Sequence, residues 1–180
     1  MQNQTKWLIA HTLEALLTTT PFEKVRVTTL CRACQISPQT FYNHFTDKYA
    51  LVAWMFRQDY IQATNQAHSY TISLLIQVTQ QLLSHKSFYR QVYQVNSQNS
   101  INHYIYQFNL KLATQAVMSN YHQEHLTVEQ TLAIKYHTYG TMALFQELLY
   151  DQLGIPLNDL CTFEYQRTPD FLKQALSKNF

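Results

Sequence analysis

Residues 27–51 read VTTLCRACQISPQTFYNHFTDKYAL, and the punctuation of this stretch decides the fold. Thr28 stands where a helix N-cap belongs, which predicts a short helix over 29–34. Gln35 and Ile36 then form a tight turn. Ser37-Pro38 supplies a second cap, with proline at the first helical position, where its missing N–H costs nothing. The next helix is expected over 38–45. Thr46-Asp47 caps a longer one carrying Tyr49, Ala50, Leu51, Ala53, Trp54 and Phe56. Two short helices around a tight turn, with a preceding helix to pack across them, make a helix-turn-helix.

That preceding helix is expected over 4–19, where Trp7, Leu8, Ala10, His11, Ala15, Leu16 and Leu17 recur at three- and four-residue spacings. Three threonines and Pro21 end it. Phe22, Val25 and Val27 follow as apolar plugs onto the next helix. Beyond Tyr60 the periodicity predicts helices over 69–84, 87–95, 100–120 and 127–152, and a last stretch after Pro156 interrupted at Thr168-Pro169. SNYHQEHLT and VNSQNSIN read as loops. With two glycines and four prolines in 180 residues, the chain has few of the turns that a sandwich or barrel requires. The expected fold is all-α: a three-helix DNA-binding domain over 1–50 and a helical bundle over 51–180 that serves effector binding and dimerisation.

Charged residues are 13% of the chain, about half the usual ~25%, and the polar surface is instead rich in Asn, Gln, Thr, Ser and Tyr. The formal net charge of +2 permits binding to nucleic acid without announcing it; residues 1–60 carry six Lys/Arg against four acids, and the remainder cancels. No apolar run approaches the ~18–20 residues of a membrane span and the N-terminus lacks a signal-peptide pattern, so a cytoplasmic protein without a membrane partner is expected. Three cysteines argue against a disulfide framework.

The segment ISPQTFYNHFTDKYAL, 36–51, resembles the stretch of TetR (Tet repressor) family regulators that runs from the recognition helix into the fourth helix. The spacing of Tyr42, Phe45 and Lys48 is its most specific feature. The likeness reaches back through VTTLCRACQIS and covers about the first 60 residues, whereas the rest is similar only in its helical plan. There the chain is similar to a short-tailed subgroup that includes a regulator of dihydroxyacetone kinase operons. It departs from the family where Gln35 replaces a common glycine and where Cys31 and Cys34 replace small alanines. Gln35 is therefore expected to accept a left-handed or bent turn at some strain. The resemblance implies a bacterial transcription regulator that binds a palindromic operator in double-stranded DNA as a homodimer. It also implies modulation through the C-terminal domain by a small-molecule effector or, alternatively, by a partner protein with no small-molecule pocket.

On that reading Leu30, Cys34, Ile36, Phe41 and Phe45 face inward, while Pro38, Gln39, Thr40, Tyr42, Asn43 and His44 are available to DNA. Gln39 and Asn43 can pair bidentately with adenine, and Thr40 can touch a thymine methyl. Tyr42 and His44 suit the backbone, as do Thr28 and Thr29. Lys48 adds a cation beside a phosphate at the start of its helix, as the same position does in proteins this one resembles.

Cys31 and Cys34 form a C-x-x-C, yet the only other thiol, Cys161, lies far along the chain and no zinc set is complete. Their helical positions favour small packed side chains over a redox pair. His122 and His125 flank Glu124 in a polar loop without further ligands, so no metal is expected there. No nucleophile, acid pair or phosphate-binding loop stands out, and the chain is read as a non-enzyme without a cofactor. Tyr89, Tyr93, His103, Tyr104, Phe108 and Tyr136 are the candidate effector-binding residues, although a well-filled core would use the same aromatics. The helix over 127–152 is apolar around much of its circumference. Tyr139, Met142, Phe145 and Leu149 on it, with Phe171 and Leu172, are the candidate dimer contacts; burial within one chain is the alternative.

Overall fold

The computed structural model describes residues 2–93 and 100–178. These residues are all-α, as expected, with no strand among them. Helix α1, Gln2–Leu17, is followed by a 3-10 turn at Phe22–Lys24, then α2, Val27–Ala33, α3, Pro38–Tyr42, and α4, Lys48–Thr64. Further on lie α5, Ile72–Ser84, α6, Lys86–Tyr93, α7, Ile101–Tyr121, α8, Val128–Leu149, α9, Leu157–Arg167, and α10, Asp170–Ser177. Most of the loop expectation at VNSQNSIN, and the end of the helix expected over 87–95, fall outside the described residues.

Two compact units emerge from the packing. The first takes its described residues from Met1–Gln58 and His85–His103, the second from Asp59–Ser84 and Tyr104–Phe180. Helices α4 and α7 contribute to both.

In the first unit, α1 buries Ile9, Leu13 and Leu17, a four-residue spacing that places all three on one stripe. Against them lie Leu30 and Cys31 of α2, Phe41 of α3, and Leu51, Val52 and Met55 of α4, with Phe88, Tyr89, Val92 and Tyr93 of α6 also buried. Phe22 and Val25 plug the connection between α1 and α2, as the apolar spacing predicts. Helix α6 is tied to α1 by polar contacts as well. His85 Nδ1 lies 2.6 Å from Glu14 Oε1, and the Gln91 amide donates to the Leu17 carbonyl at the end of α1.

The second unit has a core of Tyr70, Leu74, Ala113, Ala116, Val117, Ile134, Leu172, Ala175 and Leu176. Thr127 opens α8 with a full capping box: its side chain accepts from Gln130 N at 3.1 Å and Gln130 Oε1 accepts from Thr127 N at 2.9 Å. The interruption expected at Thr168-Pro169 separates α9 from α10. Thr168 is also a polar hub. Its hydroxyl donates to the Glu164 carbonyl at 2.8 Å and lies 3.1 Å from Tyr70 Oη and 2.8 Å from His137 Nε2.

Candidate nucleic-acid interface

The turn between α2 and α3 is built as a Schellman motif. Gln35 N–H donates to Arg32 O at 3.2 Å and Ile36 N–H to Cys31 O at 3.0 Å, which closes the end of α2. The motif requires a left-handed residue between these donors' partners and the next helix, and Gln35 takes it with φ 55°. The strain expected of this residue is therefore real, and the turn keeps its geometry without glycine.

Helix α3 starts as the sequence predicts. Ser37 Oγ accepts from Thr40 N at 3.0 Å and Pro38 occupies the first turn. The helix ends at Tyr42 rather than at 45; the chain continues in turn conformation, with His44 N and Phe45 N both bonded to Phe41 O. Asp47 Oδ1 accepts from Ala50 N at 2.8 Å and so caps α4. The N-cap expected at Thr28 is corrected. Burial of Phe22 and Val25 starts α2 one turn earlier, with extended Arg26 in the cap position and Thr28 inside the first turn.

Faces separate as expected. Leu30, Cys34, Phe41 and Phe45 are buried and Ile36 is half-buried, whereas Thr28, Thr29, Pro38, Gln39, Tyr42 and Asn43 are exposed. Thr40 and His44 are half-buried. The Thr40 hydroxyl lies 2.9 Å from Ser37 Oγ and is committed to the cap. Gln39 Nε2 donates to Asn43 Oδ1 at 3.1 Å across one turn of α3.

Lys48 has an occupation that the sequence did not foretell. Its ammonium donates to three carbonyls of the connection between α1 and α2: Phe22 O at 2.7 Å, Glu23 O at 3.1 Å and Val25 O at 3.0 Å. The cation also lies over the Phe22 ring, 4.6 Å from its centroid. Burial pushes its pKa below the usual lysine value, and Glu23 opposes that. The three donors of the ammonium are thereby used within the protein. Lys6, by contrast, rests over Phe45 and Trp54, an exposed edge of the same unit that the motif spacing did not single out.

Cys31, Cys34 and Cys161 are free and buried, and burial raises all three thiol pKa values, the opposite of what a reactive thiolate needs. Among the described residues no group of three or more His, Cys, Asp or Glu is placed to hold a metal, and His122 takes a left-handed turn conformation after α7. No described helix is long and apolar enough to cross a membrane.

The candidate effector residues divide. Tyr89, Tyr93 and His103 belong to the first unit, the two tyrosines buried and the histidine exposed. Tyr104, Phe108 and Tyr136 belong to the second. There Phe108 meets Tyr60 edge-on at 5.0 Å and lies parallel to Tyr104 at 6.4 Å, whereas Tyr136 is 84% exposed. Of the candidate dimer contacts, Leu149 and Leu172 are buried, Met142, Phe145 and Phe171 half-buried, and Tyr139 exposed. Spacing alone missed the outward stripe of α8: Val128, Leu132, Tyr136 and Tyr139 follow one another at four, four and three residues and are all 60% exposed or more.

An all-α chain with a capped helix-turn-helix near its N-terminus and longer helices after it has the architecture of a helical transcription regulator. Over 66 residues it is 27% identical to the HTH-type dhaKLM operon transcriptional activator DhaS of Lactococcus lactis subsp. lactis (strain IL1403). The matched segment is 37% of this chain and spans 35% of that activator's length, about a third. The fold is similar to that of a solved dihydroxyacetone kinase operon activator DhaS, with a TM-score of 0.61 over 90% of this chain and 92% of that one, at 18% identity. Both are transcriptional regulators rather than enzymes. No family model matches the chain.

Proposed function

We infer that this protein is a TetR-like transcription regulator, not an enzyme, which binds a palindromic operator as a homodimer and is modulated through its C-terminal residues 51–180. The observation that carries the reading is the α3 surface: Gln39, Tyr42 and Asn43 are exposed on a short helix whose opposite face, Phe41, is fully buried and whose start is capped by Ser37. A rigidly mounted helix that presents amides and a phenol to solvent suits the major groove, where such groups read base edges. Gln39 and Asn43 face bases, and the Thr40 methyl, its hydroxyl being committed to the cap, suits a thymine methyl. Pro38, Tyr42 and His44, with Thr28 and Thr29 on α2, line the backbone. Lys48 serves the same interface indirectly, by fixing the first turn of α4 against the connection before α2.

The second copy of the chain would seat on the outward stripe of α8. Val128, Leu132, Tyr136 and Tyr139 make an apolar row on one helix face, flanked by exposed Gly140 and Ala143, whose small side chains permit close approach. The resemblance to regulators named as operon activators supports control of transcription, and a cytoplasmic site of action follows from it.

Selection from a pool of random duplexes with the purified protein tests the reading. Enrichment of an inverted repeat is expected. A pool that stays random at low salt would overturn it.

A further inference from the structure

We propose that Gln39 and Asn43 act as one specificity element, in which Asn43 positions Gln39 to read a single adenine in each operator half-site. The inference rests on the regulator reading above and deepens it.

A primary amide carries one acceptor oxygen and two N–H donors that point in different directions. Only the N–H on the same side as the oxygen forms, together with that oxygen, the adjacent donor–acceptor edge complementary to adenine N7 and N6–H. The Gln39 Nε2 donation to Asn43 Oδ1 at 3.1 Å uses one N–H. With the outer N–H committed, the edge formed by Oε1 and the inner N–H is left for the base.

Positions 39 and 43 are one helical turn apart, so Asn43 braces Gln39 from the same face of α3. Both side chains are exposed and neither packs against the core, and an exposed amide pair contributes little to helix stability, about 0.2–0.5 kcal/mol. Its larger effect is on binding: glutamine is among the side chains with most rotamer freedom, and a rotamer held before encounter loses less of it on the DNA. The Ser37 cap, with Oγ accepting from Thr40 N, fixes the backbone on which the pair stands. Two independent amides would instead read two bases, each at the full cost of ordering its side chain.

The test compares duplex selection by wild type, Gln39→Ala, Asn43→Ala and the double variant, with thermal melts to show that all four fold alike. In wild type one half-site column should be adenine. Both single variants should flatten that same column, and the double variant should flatten it no further. A selected duplex carrying 7-deazaadenine at that column, which lacks the N7 acceptor, should bind wild type about fivefold to tenfold more weakly and Gln39→Ala no more weakly than the natural base. Asn43→Ala flattening a different column, or leaving every column intact, overturns the coupled pair while DNA binding stands. Failure of wild type to enrich any sequence overturns the regulator reading itself.

Discussion

Replacing Lys48 with methionine separates two roles that the sequence left superimposed. Methionine keeps the apolar stem against Phe22 and Tyr49 but removes the charge whose three donors meet the Phe22, Glu23 and Val25 carbonyls at 2.7, 3.1 and 3.0 Å. A hydrogen bond to a charged group contributes about 1.5–3 kcal/mol. The three do not sum, because the lysine is only half-buried and water can reach carbonyls at this depth once the ammonium is gone. A net loss of roughly 2–3 kcal/mol is expected, which for a chain of this size lowers the melting temperature by about 4–10 °C. Thermal and urea unfolding measure the stability, and anisotropy titrations of a selected duplex at several salt concentrations measure the other role. A side chain in contact with phosphate would flatten the slope of log K against log salt by about 1. A strut within the protein leaves the slope unchanged while stability falls. Unaltered stability together with a slope shallower by about 1 would refute the reasoning.

Burial pushes the Glu164 carboxyl from 4.5 up to about 7. Its protonated form is therefore favoured by folding: the stabilisation is complete below about 4.5 and is lost as pH rises to about 7, roughly 3 kcal/mol in all. Glu164→Gln should remove this slope and be the more stable protein above pH 7; unfolding curves across that window check it. His137, held below 6.5 by burial, has the opposite sign: its contribution is present above 6.5 and lost as pH falls through its folded value, so Glu164→Gln should retain an acid-side loss that His137→Gln abolishes. Gln35→Gly should raise stability by about 0.5–1 kcal/mol, because relief of a side chain at φ 55° outweighs the added freedom of the unfolded chain; chemical denaturation reads the gain. Leu132→Asp with Tyr136→Asp places two charges on the α8 stripe, 62% and 84% exposed in one chain, and sedimentation should show a monomer that still melts as wild type does. A variant that stays dimeric would show that the second copy binds elsewhere.

What could be read in advance followed from local chemistry. Ser37-Pro38 starts α3, Thr127 with Gln130 starts α8, and Thr168-Pro169 divides α9 from α10, because caps and prolines act within a few residues of their own position. Gln35 was legible for the same reason: a helix that must end between Cys34 and Ile36 needs one left-handed residue there, whatever its side chain. Contacts between residues distant in sequence were not legible. Lys48 reaches back across more than twenty residues to three carbonyls, and nothing in its neighbours' identities reports that those carbonyls lack other partners. Thr28 failed as a cap because burial of Phe22 and Val25, a tertiary effect, set where α2 begins. On α8 the apolar residues surround the helix, so spacing could not say which face turns outward. Leu149 is buried while Val128, Leu132 and Tyr136 are exposed.

The central claim is that α3 reads DNA through its exposed face. Its most direct test is the affinity of wild type and of a Gln39→Ala, Tyr42→Ala, Asn43→Ala triple variant for a selected duplex and for a scrambled one of the same composition. Each base-reading contact discriminates by about 1–3 kcal/mol. The triple variant should therefore melt as wild type does, keep its affinity for the scrambled duplex within a few-fold, and lose about 100-fold or more of its preference for the selected one. An undiminished preference would place the reading surface elsewhere and contradict the account.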